Sequence, residues 1–350
     1  MTLTRRTLAA TAFVAAATPV LAKPRPSRPL VIAHRGASGE RPEHTLMAYR
    51  LAIEEGADYI EPDLVVTKDG TLVARHENEI AGTTDVASRP EFAGRKATRT
   101  IDGQAVTGWF SEDFTLAELK TLRARERLPA LRPVSAAFDG REPIPTFQEV
   151  MALAESESRR TGRTIGVYPE MKHPTYLASI GLPIEQRLAD ALKAGGLNSR
   201  TAPVFVQCFE VSPLKAFRPL SRARTAQLVS AAGGPADARG INYASMITPT
   251  GLKRVAAYAD GLGAEWPLIV PVVDGGLGPA TSLVADAHAA GLGVHAWTVR
   301  AENAFLPPKL RRGTVPAEHG DSLALFKALY AAGVDGLFSD FPALAVAARA

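Results

Sequence analysis

Short apolar runs alternate with longer amphipathic stretches along most of the chain. A short apolar run bounded by turn residues is typical of a buried strand, whereas apolar positions three and four apart predict a helix. The predicted strands start at Leu30 and Tyr59 and then cover residues 164–170, 203–207, 225–229, 261–265, 293–298 and 336–339. The predicted helices cover residues 44–56, 116–125, 147–160, 184–194, 213–219, 252–259, 283–290 and 322–332.

This order of elements predicts an α/β fold. Parallel strands need long crossover connections, so strands that alternate with helices indicate a parallel sheet. Eight such units predict a (β/α)₈ TIM barrel in a single domain over residues 23–350. A doubly wound open sheet is the alternative. In a barrel, polar side chains with a chemical function gather at the carboxyl ends of the strands, and an open sheet gives no such ring.

Residues 78–143 interrupt the alternation after the second barrel strand. This segment is rich in Gly, Thr and charged residues, and its one convincing helix is 116–125. Long irregular segments in compact domains are usually lids or binding loops, so we expect an insertion that caps the strand ends. A disordered linker is the alternative, but Trp109, Phe110 and Phe114 favour a packed segment.

Five polar residues are expected to converge near the first strands. The apolar run from Leu30 ends in His34 and Arg35, and the next strand carries Glu61 and Asp63 two positions apart, hence on one face. A turn at 68–70 leads into a third extended piece that carries His76. Neighbouring carboxylates stay ionised only with a cation between them, and a hard divalent ion with oxygen ligands is the obvious cation.

These motifs resemble those of the glycerophosphodiester phosphodiesterase family of the periplasmic or secreted type. The resemblance starts with HRGA, PEHT and EPDLVVTKDGTLVARHE, and it continues in order through DFTLAELKTL, IPTFQEVMAL, GVYPEMK, VFVQCFE and VHAWTVR, over about residues 30–342. His44 stands where the family usually has Asn, and Glu77 stands where it usually has Asp. Neither departure removes a proposed ligand or catalyst, but both change the residues expected around the site.

The proposed metal ligands are carboxylates. Glu170 follows an apolar strand and lies two residues before Lys172, as in the E-x-K pattern of the family. With Glu61 and Asp63 it would form a three-carboxylate site for one divalent cation, with Ca²⁺ favoured over Mg²⁺. Glu43 is a further candidate ligand.

Phosphodiester hydrolysis also needs groups that bind phosphate and transfer protons. Arg35 offers a planar fork for a phosphate and Lys172 a point charge. His34 and His76 come from different strands and titrate near neutral pH, so we expect one to be the general acid and the other the general base. The sequence leaves their order open. The resemblance implies that the nucleophile is either a neighbouring substrate hydroxyl, which gives a cyclic phosphate, or water.

Gln207, Phe209 and Trp297 are predicted to line the glycerol end of the pocket, with barrel packing as the alternative. The remaining histidines are assigned no role: His173 is a bystander, and we expect helix faces or loops for His288, His295 and His319.

The function that follows is hydrolysis of a small glycerophosphodiester to sn-glycerol 3-phosphate and an alcohol. A phospholipase D-like enzyme of the same barrel, acting on phospholipids or lysophospholipids, is one alternative. It calls for an apolar lip around the insertion, and the sequence there is mixed. A non-catalytic phosphodiester-binding protein is the other alternative. It would have lost a histidine or a metal carboxylate, and the sequence keeps them all.

Residues 1–22 read as an export signal of the twin-arginine type. They contain Arg5 and Arg6, an apolar stretch rich in Ala and Thr, and an ending at Val20, Leu21 and Ala22 that fits a cleavage site. A short membrane anchor is the alternative, but this stretch is too short and too weakly apolar to span a bilayer comfortably. We therefore expect a periplasmic or secreted protein without stable membrane insertion.

Charge excludes one class of partner. Removal of residues 1–22 takes away two arginines and no acid, and it lowers the formal net charge from +4 to +2. Such a protein is not a basic nucleic-acid binder. The oligomeric state is left open.

Overall fold

The structure, a computed structural model, describes residues 28–349. The predicted export signal at 1–22 lies outside the described residues. The strands are β1 Leu30–His34, β2 Tyr59–Glu61, β3 Asp63–Val66, β4 Leu72–Ala74, β5 Ala97–Ile101, β6 Gln104–Gly108, β7 Gly166–Val167, β8 Glu170–Met171, β9 Phe205–Cys208, β10 Arg224–Val229, β11 Gly261–Glu265, β12 Val272–Val273, β13 Gly276–Leu277, β14 Gly293–Val299 and β15 Gly336–Ser339.

The α-helices lie between these strands. They are α1 Leu46–Glu54, α2 Leu116–Leu119, α3 Pro133–Ala136, α4 Phe147–Thr161, α5 Pro174–Ser179, α6 Ile184–Ala194, α7 Val211–Phe217, α8 Tyr243–Met246, α9 Pro249–Ala256, α10 Leu283–Ala289, α11 Ser322–Ala331 and α12 Pro342–Arg349.

The main sheet is parallel except for one hairpin. β1 pairs in parallel with β15 on one side and with β2 on the other, so the first and last strands of the chain are neighbours. The order continues through β7 and β8 to β9, β10, β11 and β14, and β14 pairs with β15. The result is a TIM-barrel-like α/β fold, and the pairing of the first strand with the last argues against the doubly wound alternative.

Local sequence signals account for the helices that pack around the sheet. Helix α4 starts with a capping box in which Thr146 accepts from the Glu149 amide while the Glu149 side chain accepts from the Thr146 amide, and it ends at Gly162 with φ of 67°. Helix α6 buries Ile184 and Leu188, one turn apart, together with Leu192. Its bounds agree with the prediction for 184–194.

Two predicted elements differ from the structure. The predicted helix 116–125 stops after Leu119, because the chain extends and Ala124 bridges to Thr84. The predicted strand 164–170 is two short strands, β7 and β8, separated by Tyr168 and Pro169. Pro62 interrupts the second barrel strand between β2 and β3 in the same way, since proline has no N–H to donate to a neighbouring strand.

The core has three parts. The largest lies between the strands and the surrounding helices. A small, mainly aromatic cluster comes from the strands and the residues next to them and contains Ile32, Tyr59, Tyr168, Phe205, Ala226 and Phe338. The third packs β3 and β4 against segment 78–143 through Val65, Val73, Ile80, Val86, Phe92, Trp109, Phe114, Leu119, Leu122 and Ile144. The prediction that this segment packs is confirmed.

Candidate active site

The register of the sheet brings the sequence-predicted polar residues together. His34 at the end of β1 is the register partner of Glu61 at the end of β2. Asp63, the first residue of β3, is the partner of Glu170 in β8, and Glu170 is the partner of Gln207 in β9. The chain does not leave the sheet at Asp63. The chain continues through β3 into an antiparallel hairpin with β4, and His76 follows that hairpin.

Arg35 turns the chain directly after β1. It adopts the left-handed conformation with φ of 60°, followed by Gly36 with φ of 89°. This turn lets the Arg35 amide donate to Glu61 Oε2 at 2.8 Å, while the guanidinium Nε lies 3.2 Å from Asp63 Oδ2. A non-glycine residue in this region costs about 1–3 kcal/mol, and such strain is common at functional sites.

Glu61, Asp63 and Glu170 form a buried three-carboxylate cluster. One oxygen from each can be chosen so that all three lie within 4.8 Å of one another. Asp63 Oδ1 is buried without a hydrogen-bond partner among the described residues. Buried carboxylates this close need a proton or a cation between them, so the donor set and the unpartnered oxygen fit a hard divalent ion.

The pKa values of the three carboxylates are shifted in different directions. Burial, with repulsion from Asp63 and Glu170, raises the pKa of Glu61 well above its usual range. Burial also raises the pKa of Glu170 to about 7, even though Lys172 opposes the shift. For Asp63, burial acts in the same direction but is outweighed by the charge of Lys172, the hydrogen bond from His44 and the charge of Arg35, so its pKa lies well below the usual range.

His34 and His76 are each held at Nδ1 by a carboxylate. His34 Nδ1 lies 2.6 Å from Asp340 Oδ1, and His76 Nδ1 lies 2.5 Å from Glu77 Oε1. On the other side of the His76 ring, Lys172 Nζ lies 3.2 Å from Nε2. Lys172 also donates to Glu170 Oε1 at 2.8 Å and thus links this histidine to the carboxylate cluster.

Both histidines are kept neutral in the free protein. Burial, followed by the Arg35 charge, lowers the pKa of His34 to about 4. Burial, followed by Arg35 and Lys172, lowers the pKa of His76 to about 3. A neutral imidazole whose Nδ1–H is donated to a carboxylate has an unprotonated Nε2, which can accept a proton.

The two departures from the family pattern, His44 and Glu77, each contact a residue of the site. His44 Nε2 lies 3.0 Å from Asp63 Oδ2, and its Nδ1 lies 2.7 Å from the Tyr49 hydroxyl. His44 has φ of 56°, a region in which both Asn and His are enriched. His44 therefore fits this backbone and still offers a donor to Asp63. Glu77 is the residue that holds His76.

Glu43 is not part of the carboxylate cluster. Its Oε2 accepts from Arg35 Nη1 at 3.1 Å and from Arg127 Nε at 2.8 Å, and its Oε1 accepts from Arg127 Nη2 at 2.7 Å. The prediction that Glu43 is a further metal ligand therefore gains no support from the geometry, because both of its oxygens contact guanidinium groups.

The sequence-predicted pocket residues line a cavity of about 110 Å³ beside the histidines. Its walls are formed by His34, Arg35, Glu61, His76, Glu170, Gln207, Phe209, Leu228, Trp297, Thr298, Arg300 and Phe338. Phe209 and Trp297 meet edge to face at 5.5 Å, and Gln207 Nε2 donates to Glu61 Oε1 at 3.0 Å. A larger cavity of about 420 Å³ lies between α4 and α6, but its lining is mostly apolar and includes none of the histidines or carboxylates of the site.

Sequence reasoning missed three residues that surround the histidines. Asp340 directly follows β15 and contacts His34, Arg132 Nη2 and Arg300 Nε. It obeys the same pattern as His34, a polar residue at the carboxyl end of an apolar run, so that pattern could have found it. Arg127 and Arg132 lie in an irregular loop without periodicity, and no local signal marks them.

The remaining histidines lie apart from the carboxylate cluster. His288 lies on α10, and His319 lies outside the strands and helices, as expected. The expectation for His295 is wrong. It lies in β14, where its Nδ1 is 2.7 Å from the hydroxyl of Tyr168 in the aromatic cluster. His173 lies 2.6 Å from Asp102 near the surface.

Comparison with known proteins identifies the family. Residues 34–344 match the model of the glycerophosphoryl diester phosphodiesterase family. The chain is 36% identical over 327 residues to glycerophosphodiester phosphodiesterase GDPD6 of Arabidopsis thaliana, covering 90% of this chain and 84% of the plant protein. It is 30% identical over 338 residues to the glycerophosphodiester phosphodiesterase of Haemophilus influenzae, covering 89% of this chain and 87% of the relative. The chain belongs to the glycerophosphoryl diester phosphodiesterase family.

A solved structure supports the fold. The structure of an Oleispira antarctica phosphodiesterase in complex with the product sn-glycerol-3-phosphate has a TM-score of 0.56 and 24% identity, with coverage of 92% of this chain and 96% of that chain. The predictions of a TIM-barrel-like α/β fold and of an enzyme of the phosphoric diester hydrolase class are confirmed. Within residues 28–349, none of the helices is both long enough and apolar enough to cross a membrane.

Proposed function

We propose that this enzyme hydrolyses glycerophosphodiesters to sn-glycerol 3-phosphate and an alcohol, with one divalent cation and a pair of histidines. The observation that carries the proposal is the carboxylate cluster, two members of which, Glu61 and Glu170, line one small cavity together with His34, His76 and Arg35. The names of the relatives agree with this substrate class, and the Oleispira protein was solved with the same glycerol phosphate as product.

The cation would be held by Glu61, Asp63 and Glu170. Supporting evidence is the burial of all three carboxylates and the unpartnered Asp63 Oδ1. We favour Ca²⁺ over Mg²⁺, because Ca²⁺ accepts several protein carboxylates, whereas Mg²⁺ usually keeps more of its water. When bound, the cation neutralises phosphate charge and acts as a Lewis acid.

Arg35 and Lys172 are proposed to bind the phosphate. Each is anchored by carboxylates, Arg35 by Glu43 and Asp63 and Lys172 by Glu170, so the positive charges are fixed before the substrate arrives. Fixed charges in a buried site stabilise the developing charge of a transition state without reorganisation.

His34 and His76 are proposed to transfer the protons. Their lowered pKa values keep Nε2 of each ring unprotonated in the free enzyme, as a general base requires. The negative phosphodiester opposes the Arg35 and Lys172 charges, so substrate binding raises both histidine pKa values and allows one ring to act as the acid. The nucleophile is the neighbouring hydroxyl of the substrate or water, and detection of a cyclic phosphate by ³¹P NMR would identify the former.

Gln207, Phe209 and Trp297 are proposed to contact the glycerol end of the substrate. The two aromatic rings form an apolar wall of the cavity, and the Gln207 amide lies beside Glu61. We further propose that segment 78–143 caps the barrel strands, because Arg127 and Arg132 of this segment contact residues around both histidines. Export to the periplasm or medium is proposed from residues 1–22.

A coupled assay tests the function directly. Release of glycerol 3-phosphate from glycerophosphocholine is expected with the mature protein, to be lost on addition of a chelator and restored by excess Ca²⁺. Asp63→Ala is expected to abolish both ion binding and turnover, because it removes the carboxylate that carries the unpartnered oxygen. Normal turnover of this variant in the presence of chelator would show that the metal assignment is wrong.

A further inference from the structure

Both carboxylates that hold the site histidines are themselves held by arginines. The guanidinium of Arg127 donates to Glu77 Oε1 at 3.0 Å and to Glu77 Oε2 at 2.7 Å. The guanidinium of Arg132 donates through Nη2 to Asp340 Oδ2. These arginines lie five positions apart in one loop, although Glu77 and Asp340 are far apart in the sequence.

The loop that carries them is internally fixed. Glu126 is buried, its Oε1 accepts from the Leu128 amide at 2.8 Å, and its amide donates to Asp139 Oδ1 at 2.7 Å. The amides of Leu131 and Arg132 both donate to the Leu128 carbonyl at 2.9 Å. The two guanidiniums are therefore presented by a single ordered stretch.

Each arginine also has an anchor away from its histidine. Arg127 contacts both oxygens of Glu43, and Glu43 contacts Arg35. Arg132 donates through Nε to Glu302 at 2.6 Å and through Nη1 to the Ser38 carbonyl at 2.9 Å. A guanidinium fork held on two sides fixes the direction of the carboxylate that it contacts.

We propose that Arg127 and Arg132, which we call the arginine pair, are positioning residues that fix both histidines of the site through Glu77 and Asp340. The inference rests on the proposed function, since it assigns His76 and His34 the proton transfers. A carboxylate fixed at Nδ1 sets the ring orientation and the tautomer, and it leaves Nε2 directed at the reacting atoms. One loop of segment 78–143 then controls the geometry of both proton transfers.

The charges support this geometry. Burial would raise the pKa of Glu77 and of Asp340, but other contacts hold both pKa values below the usual range. For Glu77 these are first the hydrogen bond with His76 and then the Arg127 charge, and for Asp340 they are the charges of Arg132 and Arg300. The two acceptors therefore remain ionised at neutral pH and accept from the histidine Nδ1–H.

Arg127 is the better residue for a test, because its side chain is 28% exposed whereas that of Arg132 is 6% exposed. In Arg127→Gln, Glu77 loses both charged donors and is free to leave His76. Loss of a residue that fixes the carboxylate partner of a functional histidine typically costs about 10–100-fold. We therefore expect kcat on glycerophosphocholine to fall by about that factor, with a smaller change in KM. The matched control is Arg123→Gln, because Arg123 Nη1 donates to the backbone carbonyls of Lys120, Thr121 and Leu122.

A double-mutant cycle separates positioning from general destabilisation. If Arg127 acts through Glu77, Arg127→Gln combined with Glu77→Gln should lose no more than about twofold in kcat beyond Glu77→Gln alone, because contacting residues are not additive. Full multiplication of the two losses would overturn the proposal. A raised KM with unchanged kcat in Arg127→Gln would also overturn it, since that result indicates that Arg127 acts on substrate binding, directly or through Glu43 and Arg35, and not on proton transfer by His76.

Nitrogen-15 NMR of the histidine side chains gives a readout that does not need activity. The His76 signals should show an Nδ1–H tautomer in the wild type and in Arg123→Gln, and a changed tautomer population in Arg127→Gln. Unchanged His76 signals in Arg127→Gln would refute the proposal. If the wild type hydrolysed no glycerophosphodiester, the proposed function would fail, while the NMR comparison would still decide whether Arg127 positions His76.

Discussion

Replacement of Glu61, a member of the carboxylate cluster, should weaken ion binding while leaving the stability of the metal-free protein nearly unchanged. The pKa of Glu61 is raised well above the usual range by burial and by Asp63 and Glu170, so without a cation this carboxyl binds a proton more readily than an ordinary glutamate. Glutamine has nearly the same shape as protonated glutamate. We therefore expect Glu61→Gln to change the free energy of unfolding of the metal-free protein by less than about 1 kcal/mol.

The hydrogen bonds around Glu61 accommodate this substitution. Glu61 accepts from the Arg35 amide through Oε2 and from Gln207 Nε2 through Oε1. The new amide can keep its oxygen towards Arg35 and turn its NH₂ towards Gln207. Gln207 Oε1 is buried without a partner among the described residues, so rotation of the Gln207 amide by half a turn supplies the acceptor.

Ion binding should respond quite differently. Loss of a residue that only hydrogen-bonds to a metal ligand already costs about 10–100-fold in metal affinity. Glu61→Gln removes a full charge from the ligands themselves, so we expect Ca²⁺ affinity to fall by at least about 100-fold. At a Ca²⁺ concentration of about 100 Kd, the wild type gains about 2.7 kcal/mol, and a variant with 100-fold weaker binding gains about 0.4 kcal/mol.

Titration calorimetry and denaturant unfolding with and without Ca²⁺ measure both quantities. Glu157→Gln is the control, because Glu157 is a buried glutamate on α4 that pairs with Arg160. If Glu61→Gln binds Ca²⁺ and turns over substrate like the wild type, or if it destabilises the metal-free protein by several kcal/mol, the reasoning is refuted.

Three further predictions concern the histidines and the N-terminus. His34→Ala and His76→Ala should each lower kcat by about 10²–10⁴-fold while keeping Ca²⁺ binding. A phosphodiester with a p-nitrophenolate leaving group, which needs little protonation, should restore activity in the variant that lacks the acid. Near-normal turnover of glycerophosphocholine by either variant would show that its histidine is structural. Burial lowers the pKa of His295 to about 4, below its ordinary value of 6.5, so the folded state binds fewer protons and loses stability as the pH falls through that interval. Urea unfolding at about pH 7.5 and 4.5 measures the free energy of unfolding at each pH. Its decrease between the two should be about 2–3 kcal/mol larger in the wild type than in His295→Gln, and equal decreases would contradict this prediction. Fractionation of expressing cells, with N-terminal sequencing, should find a product that begins near Lys23 outside the cytoplasm, and a full-length cytosolic product would exclude export.

The sequence alone determined the alternation of elements and the members of the carboxylate cluster. Helix periodicity and capping are local, so α6 was predicted with its observed bounds, and the Thr146–Glu149 capping box marks the start of α4. In a barrel, polar residues at the carboxyl ends of parallel strands lie at the same edge, and this placed His34, Glu61 and Glu170 near one another. The inference depends on strand order and not on any particular contact.

Tertiary structure decided which residues hold the site in place. Asp340 reaches His34 across 306 positions of sequence, and Arg127 reaches Glu77 from an irregular loop. His295 was expected on a helix face or in a loop although it falls within the predicted strand 293–298, and the structure confirms the strand. Only the folded chain places its ring beside Tyr168 of the aromatic cluster. The end of an apolar run marks Asp340 as a polar strand-end residue, but its pairing with His34 and that of Arg127 with Glu77 follow from the path of the folded chain and the need to pair buried charges. Neither pairing leaves a periodic pattern in the sequence.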